Sequence, residues 1–562
     1  MICIFQTNEF VTYFSLEIGL DPGLPTYAGG LGILAGDTIK ACADIGVPMV
    51  AVTLLNEDGY FHQILDAEGN QTEVPVKWRK EDFLEKIDTK VKVSIEGRDV
   101  YITVWKKYVE GIKGSIVEVL FLDTNLPENS EWDRAITKHL YGGNRWYRLC
   151  QEIVLGVGGI KMLRKLGFED FKISKYHMNE GHAAFLTLEL IKELQSSLPG
   201  KDYFYYRNMI KNKCVFTTHT PVPAGHDVFP QQYVQNALRE YFPLELHSYA
   251  DFNMTLLALN SSRHINGVAK RHEEVTQEMF PGYQINAITN GIHSCTWTGK
   301  EFADLFDEYL PDWRADNFNL RYALNIPPKK IWEAHYKQKR ELIDYVNEKT
   351  DSNFKYDVFT IGFARRVAPY KRLPLLFSDI ERLKRIAKRH PIQIVLSGKA
   401  HPNDGAGKDL IRQVFAQLKD LGDSIKVVFL PNYEMWLGKL MVSGVDIWLN
   451  TPQRPKEASG TSGMKAAHNG VPHFSVLDGW WLEGHVEGVT GWSIGPHPKE
   501  GYVDDGVDAD SLYYKLETDI LPKFYDRREE WIMMMMHTIS HNASFFNTQR
   551  MVLQYVTNCY FL

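Results

Sequence analysis

The densest run of reactive side chains is Lys456-Glu457-Ala458-Ser459-Gly460-Thr461-Ser462-Gly463-Met464-Lys465-Ala466-Ala467-His468-Asn469-Gly470. It follows an apolar stretch ending at Asn450, and its Gly, Ser and Thr residues open a helix. Backbone N–H groups, hydroxyls and a lysine therefore meet in one turn, which suits an anion because open amides and the helix dipole both favour negative charge. Glu457 and Lys465 stand at opposite ends of this feature; the plainer alternative is a glycine-rich helix start with a solvated lysine. A second run, Arg365-Arg366-Val367-Ala368-Pro369-Tyr370-Lys371-Arg372, comes directly after the apolar residues 358–363. Four cations at the carboxyl end of a buried strand favour an anion or phosphate site over a solvated charged face.

Near the start, Tyr27-Ala28-Gly29-Gly30-Leu31-Gly32 precedes a helical pattern from about Ile33 and offers a second anion cradle. Gly30-x-Gly32-x-x-Ala35 also fits a dinucleotide fingerprint with Asp58 as the ribose acid, but the Pro-containing residues 21–26 separate it from any strand. His177-Met178-Asn179-Glu180-Gly181-His182 and His219-Thr220-Pro221 lie at the ends of predicted strands, where open α/β sheets place ligands, and each histidine taken singly reads as structural. Neither group has metal-ligand spacing, and His272-Glu273-Glu274-Val275-Thr276 lacks the second histidine of a zinc protease, so no metal is expected. Asn290-Gly291 reads as a turn, and Gly405-Ala406-Gly407-Lys408 lacks nucleotide P-loop spacing.

Strand-length apolar stretches at residues 48–55, 213–218, 356–363, 392–398, 426–430 and 445–450 alternate with longer helical patterns, the rhythm of parallel sheets wrapped by helices. A polar helix over 329–347 precedes a fresh strand rhythm, and the domain boundary is expected near Thr296. That gives an N-terminal domain over 1–295, a C-terminal domain over 296–530 and a C-terminal helical segment over 531–562. The Met533-Met534-Met535-Met536 run reads as core packing. The 562 residues carry a net charge of −7 on a 24% charged, 44% hydrophobic background, which is poor for nucleic-acid binding. No apolar run is long enough to span a bilayer, and the first basic residue is Lys40, so neither membrane insertion nor export is expected. Cysteines at 3, 42, 150, 214, 295 and 559 form no CxxC pair, which suits a reduced, cytoplasmic protein.

EASGTSGMK around Lys465 closely resembles the cofactor-lysine motif of the α-glucan phosphorylases, the family of glycogen, starch and maltodextrin phosphorylases. The same order of motifs runs through YFSLE (Tyr13 to Glu17), GGLGILAGD (Gly29 to Asp37), MNEGHAA (Met178 to Ala184), THTPVPAGHD (Thr218 to Asp227), NGVAKRH (Asn266 to His272), ITNGI (Ile288 to Ile292), RRVAPYKR (Arg365 to Arg372), SGKAHP (Ser397 to Pro402), FLPNY (Phe429 to Tyr433) and VLDGWWLEG (Val476 to Gly484). The resemblance implies an α/β protein of two Rossmann-like domains facing across a cleft, the type-B glycosyltransferase architecture, with the C-terminal helix crossing back to the first domain.

It also implies reversible phosphorolysis of α-1,4-glucan to α-D-glucose 1-phosphate with retained configuration, using pyridoxal 5′-phosphate held by Lys465 as a Schiff base. Cofactor-free relatives, the glycogen and starch synthases, carry an E-x7-E pair whose second glutamate position is Lys465 here. By the same resemblance Arg366, Lys371 and the Gly30 amide hold inorganic phosphate, and Arg365 with the Thr461 and Ser462 amides holds the cofactor phosphate. Tyr433 and Gly29 are further cofactor contacts. The resemblance further implies that His219 faces the sugar, that Asn290, Glu457, Ser459 and Gly460 bind glucosyl hydroxyls, and that Glu180 lines the acceptor side.

Glu434 stands where larger relatives carry arginine, Arg365 where they carry lysine, Glu180 where they carry aspartate and Ala28 where they carry asparagine. The first motif comes close to the start of the sequence, so the N-terminal extension that carries regulatory sites in animal enzymes is expected to be absent. A dimeric homo-oligomer is left open. The alternatives are a nucleotide-sugar transferase without cofactor and a catalytically inert glucan-binding protein.

Overall fold

The computed structural model describes residues 9–248, 250–501 and 504–561. Cys3, one of the cysteines considered above, lies outside them. The chain divides into two compact units. The first holds 1–61, 75–288 and 551–562, and the second holds 62–74 and 289–550. The divisions therefore fall at Ile288/Thr289 and Arg550/Met551, where the sequence suggested 295/296 and 530/531. Most of the C-terminal helical segment belongs with the second unit, and only its last twelve residues return to the first.

The first unit is built on nine strands: β1 Phe10–Phe14, β2 Met49–Leu54, β3 Glu85–Ile95, β4 Arg98–Glu110, β5 Ile116–Asp123, β6 Ile173–Asn179, β7 Cys214–Thr217, β8 His264–Gly267 and β9 Asn286–Ala287. They pair in the order β9-β8-β7-β6-β1-β2-β5-β4-β3. All neighbours are parallel except β3–β4 and β4–β5, so the expectation of purely parallel sheets is corrected here. The cause is local: Glu96 and Gly97 both have positive φ, the backbone of a two-residue hairpin whose twist matches that of the strands it joins. Strand residues alternate between two cores. Val50, Val52 and Leu54 enter one, and Met49 and Ala51 enter the other. The second core also takes Met551, Val552, Tyr555 and Tyr560 from the returning C-terminal segment.

The second unit is built on a six-stranded sheet: β10 Phe359–Ala364, β11 Ile392–Ser397, β12 Lys426–Leu430, β13 Ile447–Asn450, β14 His473–Val476 and β15 Gly491–Ile494. They are all parallel, in the order β12-β11-β10-β13-β14-β15. Near-continuous burial of β10, β11 and β13 reflects cover on both faces. Of the methionine run, Met534, Met535 and Met536 are core residues, and Met533 is exposed. Among the parallel strands of each sheet the order reverses at one point, β1/β6 in the first unit and β10/β13 in the second. The carboxyl edge of such a switch point is where open α/β sheets bind ligands.

A buried polar network holds the returning segment beneath β6, β7 and β8. Thr217 Oγ1 donates to Asn266 Oδ1 at 2.9 Å and faces His177 Nε2 at 2.8 Å. His177 therefore carries its proton on Nε2, and Nδ1 accepts from the Tyr560 hydroxyl at 2.6 Å. Burial pushes the imidazole down to about 3, so it is neutral. Tyr555 closes the ring, facing Thr217 at 3.0 Å and accepting from Asn266 Nδ2 at 2.9 Å. Tyr560→Phe leaves His177 Nδ1 buried without a donor, and the expected cost is about 1–3 kcal/mol, read as a lower denaturation midpoint.

Candidate functional site

At the β10/β13 switch point of the second unit, β10 ends at Ala364 and hands on to Arg365, and β13 ends at Asn450. The Arg365 guanidinium bridges the two strand ends, donating to Asn450 Oδ1 and to Glu457 Oε2. Lys371, from the short turn Pro369–Lys371, donates to both Glu457 oxygens at 2.9 and 2.7 Å. Burial alone would raise the Glu457 pKa, but Arg365 and Lys371 outweigh it and hold the carboxyl down at about 2. Arg366, the neighbour of Arg365, is exposed. The Tyr370 phenol feels all four charges: burial raises it, yet Lys371, Arg366 and Arg365 together hold it below its usual value. Arg372 is not part of this cluster. It turns to Asp508 and Asp505 at 2.6 Å each and to the Thr451 and Pro452 carbonyls.

Residues Glu457 to Lys465 thread along the same edge. The Glu457 N–H donates to Asp478 Oδ2 at 2.9 Å. Gly460 has φ +86°, a left-handed conformation open to glycine, which turns the chain into the helix Ser462–Ala467. Ser462 Oγ accepts from Trp448 Nε1 at 3.0 Å. Lys465 is buried with its Nζ 3.5 Å over the Trp297 ring. The pairing has a visible cause: Asn469 Nδ2 donates to both the Trp297 and Lys465 carbonyls at 2.9 Å, Asn469 Oδ1 accepts from Gly299 N–H at 2.6 Å, and His468 Nε2 meets Ser294 Oγ at 2.9 Å. Burial pushes the Tyr433 phenol up to about 12, with Arg365 opposing, so the hydroxyl stays protonated. Arg365 Nε, Ser459 Oγ and Asn290 Oδ1 are buried without a hydrogen-bond partner. Such atoms cost about 1–3 kcal/mol each unless a water or a ligand supplies the partner.

The first unit carries its own set at β1/β6. Glu17 lies just past β1, and its Oε2 accepts from Ala28 N–H at 2.6 Å and Gly29 N–H at 3.1 Å, while Oε1 accepts from the Tyr141 hydroxyl at 2.7 Å. Gly29, which the resemblance made a cofactor contact, thus has its N–H committed inside the unit, and Gly30 opens the helix Gly30–Ile45 with free space around its α-carbon. Glu180, at φ +84°, accepts through Oε2 from the His219 N–H at 2.7 Å and Thr220 Oγ1 at 3.0 Å, and through Oε1 from Gly181 N–H at 3.0 Å. Both oxygens serve its own loops, and burial raises its pKa. His219 Nε2 meets Asn179 Oδ1 at 2.7 Å, and the Asn179 amide nitrogen donates to Ser15 Oγ at 3.1 Å. The ring proton therefore sits on Nε2. Burial keeps this imidazole neutral.

Sequence reasoning assigned no role to Glu17, Asn179, Trp297 or Asp478. Glu17 carried a usable signal, standing three residues beyond a strand as His219 stands two beyond another. Among the described residues no group of three or more His, Cys, Asp or Glu is placed to hold a metal, and no helix is long and apolar enough to cross a membrane.

The model of the carbohydrate phosphorylase family matches residues 244–487. The chain is 40% identical to a maltodextrin phosphorylase of Thermococcus litoralis, over 99% of this chain and 72% of that protein. It is 34% identical to a glycogen phosphorylase of Aquifex aeolicus, over 98% and 86%. An uncharacterised protein of Methanocaldococcus jannaschii is 32% identical over 98% of this chain and 99% of its own length.

The depressed Glu457 carboxyl sets a pH test. Its stabilising contribution is fully present above the ordinary value of 4.5 and is lost as pH falls toward about 2. Glu457→Gln should remove up to about 3 kcal/mol of stability at neutral pH. The difference in melting temperature between wild type and variant should shrink steadily as pH falls below about 4.5.

Proposed function

The chain is a glycosyltransferase of the carbohydrate phosphorylase family, and from that premise we propose that it is a pyridoxal 5′-phosphate-dependent α-1,4-glucan phosphorylase. Its reaction is the reversible phosphorolysis of glycogen, starch or maltodextrin to α-D-glucose 1-phosphate with retention. The observation that carries this reading is the convergence of Arg365, Lys371 and Glu457 at the carboxyl edge of the parallel sheet, on the same segment as a buried Lys465.

The residues fit the cofactor. Lys465 offers an amine over an indole face, which suits an aromatic aldehyde, and the unpartnered Arg365 Nε offers a cationic donor to its phosphate. In this reading Lys465 anchors the cofactor covalently, Arg365 and the Thr461 and Ser462 N–H groups hold its phosphate, and Tyr433 lies alongside. When bound, the cofactor supplies a phosphate that exchanges a proton with the substrate phosphate. Arg366, Lys371 and the Gly30 N–H hold inorganic phosphate so that it can protonate the glycosidic oxygen and then bond to the anomeric carbon on the same face. Attack on that face retains the α configuration.

His219 has spent its one ring proton on Asn179, so it offers acceptors, Nδ1 and its backbone carbonyl, as positive charge develops on the sugar. Ser459 Oγ and Asn290 Oδ1, buried and unpartnered, are available to glucosyl hydroxyls, with Glu457 and Gly460 beside Ser459. Glu180 acts on the acceptor side through the His219 loop, since both its oxygens are engaged.

The purified protein should absorb in the near ultraviolet, and borohydride should fix the label on the peptide holding Met464 and Lys465. Lys465→Ala should abolish phosphorolysis. Protein that is active without pyridoxal, or labelled on another lysine, contradicts the assignment. Separately, Arg366→Ala and Lys371→Ala should each lower kcat/KM for phosphate at least about tenfold, with less effect on glucan binding, because a charge-assisted bond to a dianion is lost. Proton NMR of the first product should show the α-anomeric phosphate.

A further inference from the structure

The chain passes from the first unit to the second between Ile288 and Thr289 and returns between Arg550 and Met551. Inside the second unit these two ends are tied together. Arg550 Nη1 donates to the Thr289 carbonyl at 2.5 Å and Nη2 to the Asn290 carbonyl at 2.9 Å, while Nε donates to the Phe545 carbonyl at 2.9 Å. Next to them the Ile292 N–H donates to the Phe546 carbonyl at 3.2 Å, and the Thr548 N–H donates to the Ile292 carbonyl at 2.9 Å. A β-carbon on Gly291 would stand 2.2 Å from the Asn547 backbone, so the contact admits only glycine. On its other side, Thr289 Oγ1 donates to the Glu483 carboxylate at 2.9 and 3.0 Å.

We propose that Arg550 is a positioning residue for Asn290, holding the Thr289–Asn290 backbone so that the Asn290 side chain meets the glucosyl group. This rests on the assignment of Asn290 to the sugar. Residues 289–291 belong to no helix or strand, so no ladder of their own fixes them. Asn290 is 3% exposed and its Oδ1 is buried without a partner, whereas its carbonyl is held by the guanidinium. A planar fork that reaches two successive carbonyls fixes the peptide plane between them, and so the direction in which the Asn290 α-carbon projects its side chain. Lysine, whose three N–H donors radiate from one rotatable nitrogen, lacks the planar fork that does this.

The test is a double-mutant cycle on phosphate-dependent glucosyl transfer by the full chain. Arg550→Lys and Asn290→Ala should each lower kcat/KM by about tenfold or more, and the double variant should fall no more than about twofold below the weaker single variant, because both changes remove the same interaction. Losses that multiply would mean that Arg550 acts independently of Asn290 and overturn the inference. Hydrogen exchange on Arg550→Lys gives a second readout that does not depend on activity. In Arg550→Lys, peptides covering 289–292 should exchange faster while β10 and β13 are unchanged; unaltered exchange at 289–292 also overturns it. If the wild type shows no phosphate-dependent transfer, the phosphorylase reading falls and takes the sugar contact with it, and exchange still decides whether Arg550 sets this segment.

Discussion

The Glu457 carboxylate, buried between the Arg365 guanidinium and the Lys371 ammonium, is the interaction on which the second unit's site depends. Removing any of these three charges from water costs several kcal/mol, and only mutual pairing offsets it. With two cations to one anion, the cluster is compact yet keeps an excess positive charge. Without Glu457, Arg365 and Lys371 would repel each other in a low-dielectric pocket. With a second carboxylate, the excess would vanish and an incoming phosphate would lose its attraction. The sheet topology explains why the charges meet: β10 and β13 are neighbours at the strand-order reversal, so Arg365 after one strand and Asn450 at the end of the other are forced side by side.

The first unit uses carboxylates for a different purpose. Glu17 and Glu180 accept from the backbone N–H groups of Ala28, Gly29, Gly181 and His219, amides in loops that have left the sheet ladder. A buried carboxylate can satisfy several such donors at once. The consequence is selective: the amides satisfied from within are already committed inside the unit. Glu180 adopts a positive φ, a cost of about 1–3 kcal/mol for a non-glycine residue, which the three hydrogen bonds to its carboxylate offset.

Much of this was legible in the sequence where a buried strand runs straight into its functional loop. Residues 426–430 and 392–398 coincide with β12 and β11 to within a residue, and the cations after 363 lie at a sheet edge as expected. The antiparallel edge is less legible: Ile87, Val91, Val93 and Ile95 alternate with polar residues, so these strands, open on one face, form no long apolar run. Arg372 was counted with its neighbours since a run of like charges carries no direction; only the fold shows that Asp508, 136 residues later, draws it away. Arg550 is silent for the same reason: it acts on the Thr289 and Asn290 carbonyls, 261 and 260 residues earlier, and no local spacing encodes such a partner. The unit boundaries moved because the segment Thr289–Ile292 is bound to residues 545–550, which only tertiary contact reveals.

Charge arithmetic ties the lysine at 465 to the chemistry proposed for this chain. Arg365, Arg366 and Lys371 supply three positive charges and Glu457 one negative, a formal sum of +2. In the proposed reaction two phosphates side by side bring about −1.5 to −2 each near neutral pH, which exceeds that sum and leaves the remainder to backbone N–H groups. A glutamate at 465 would reduce the sum to +1 and set a carboxylate against the second phosphate. Lysine there removes the repulsion and supplies an amine able to hold a carbonyl cofactor covalently. The same replacement therefore adjusts the electrostatics for a second dianion and provides the means of retaining it, whereas a solvated surface lysine would accomplish neither, and the 7% exposure of Lys465 shows that it is not one.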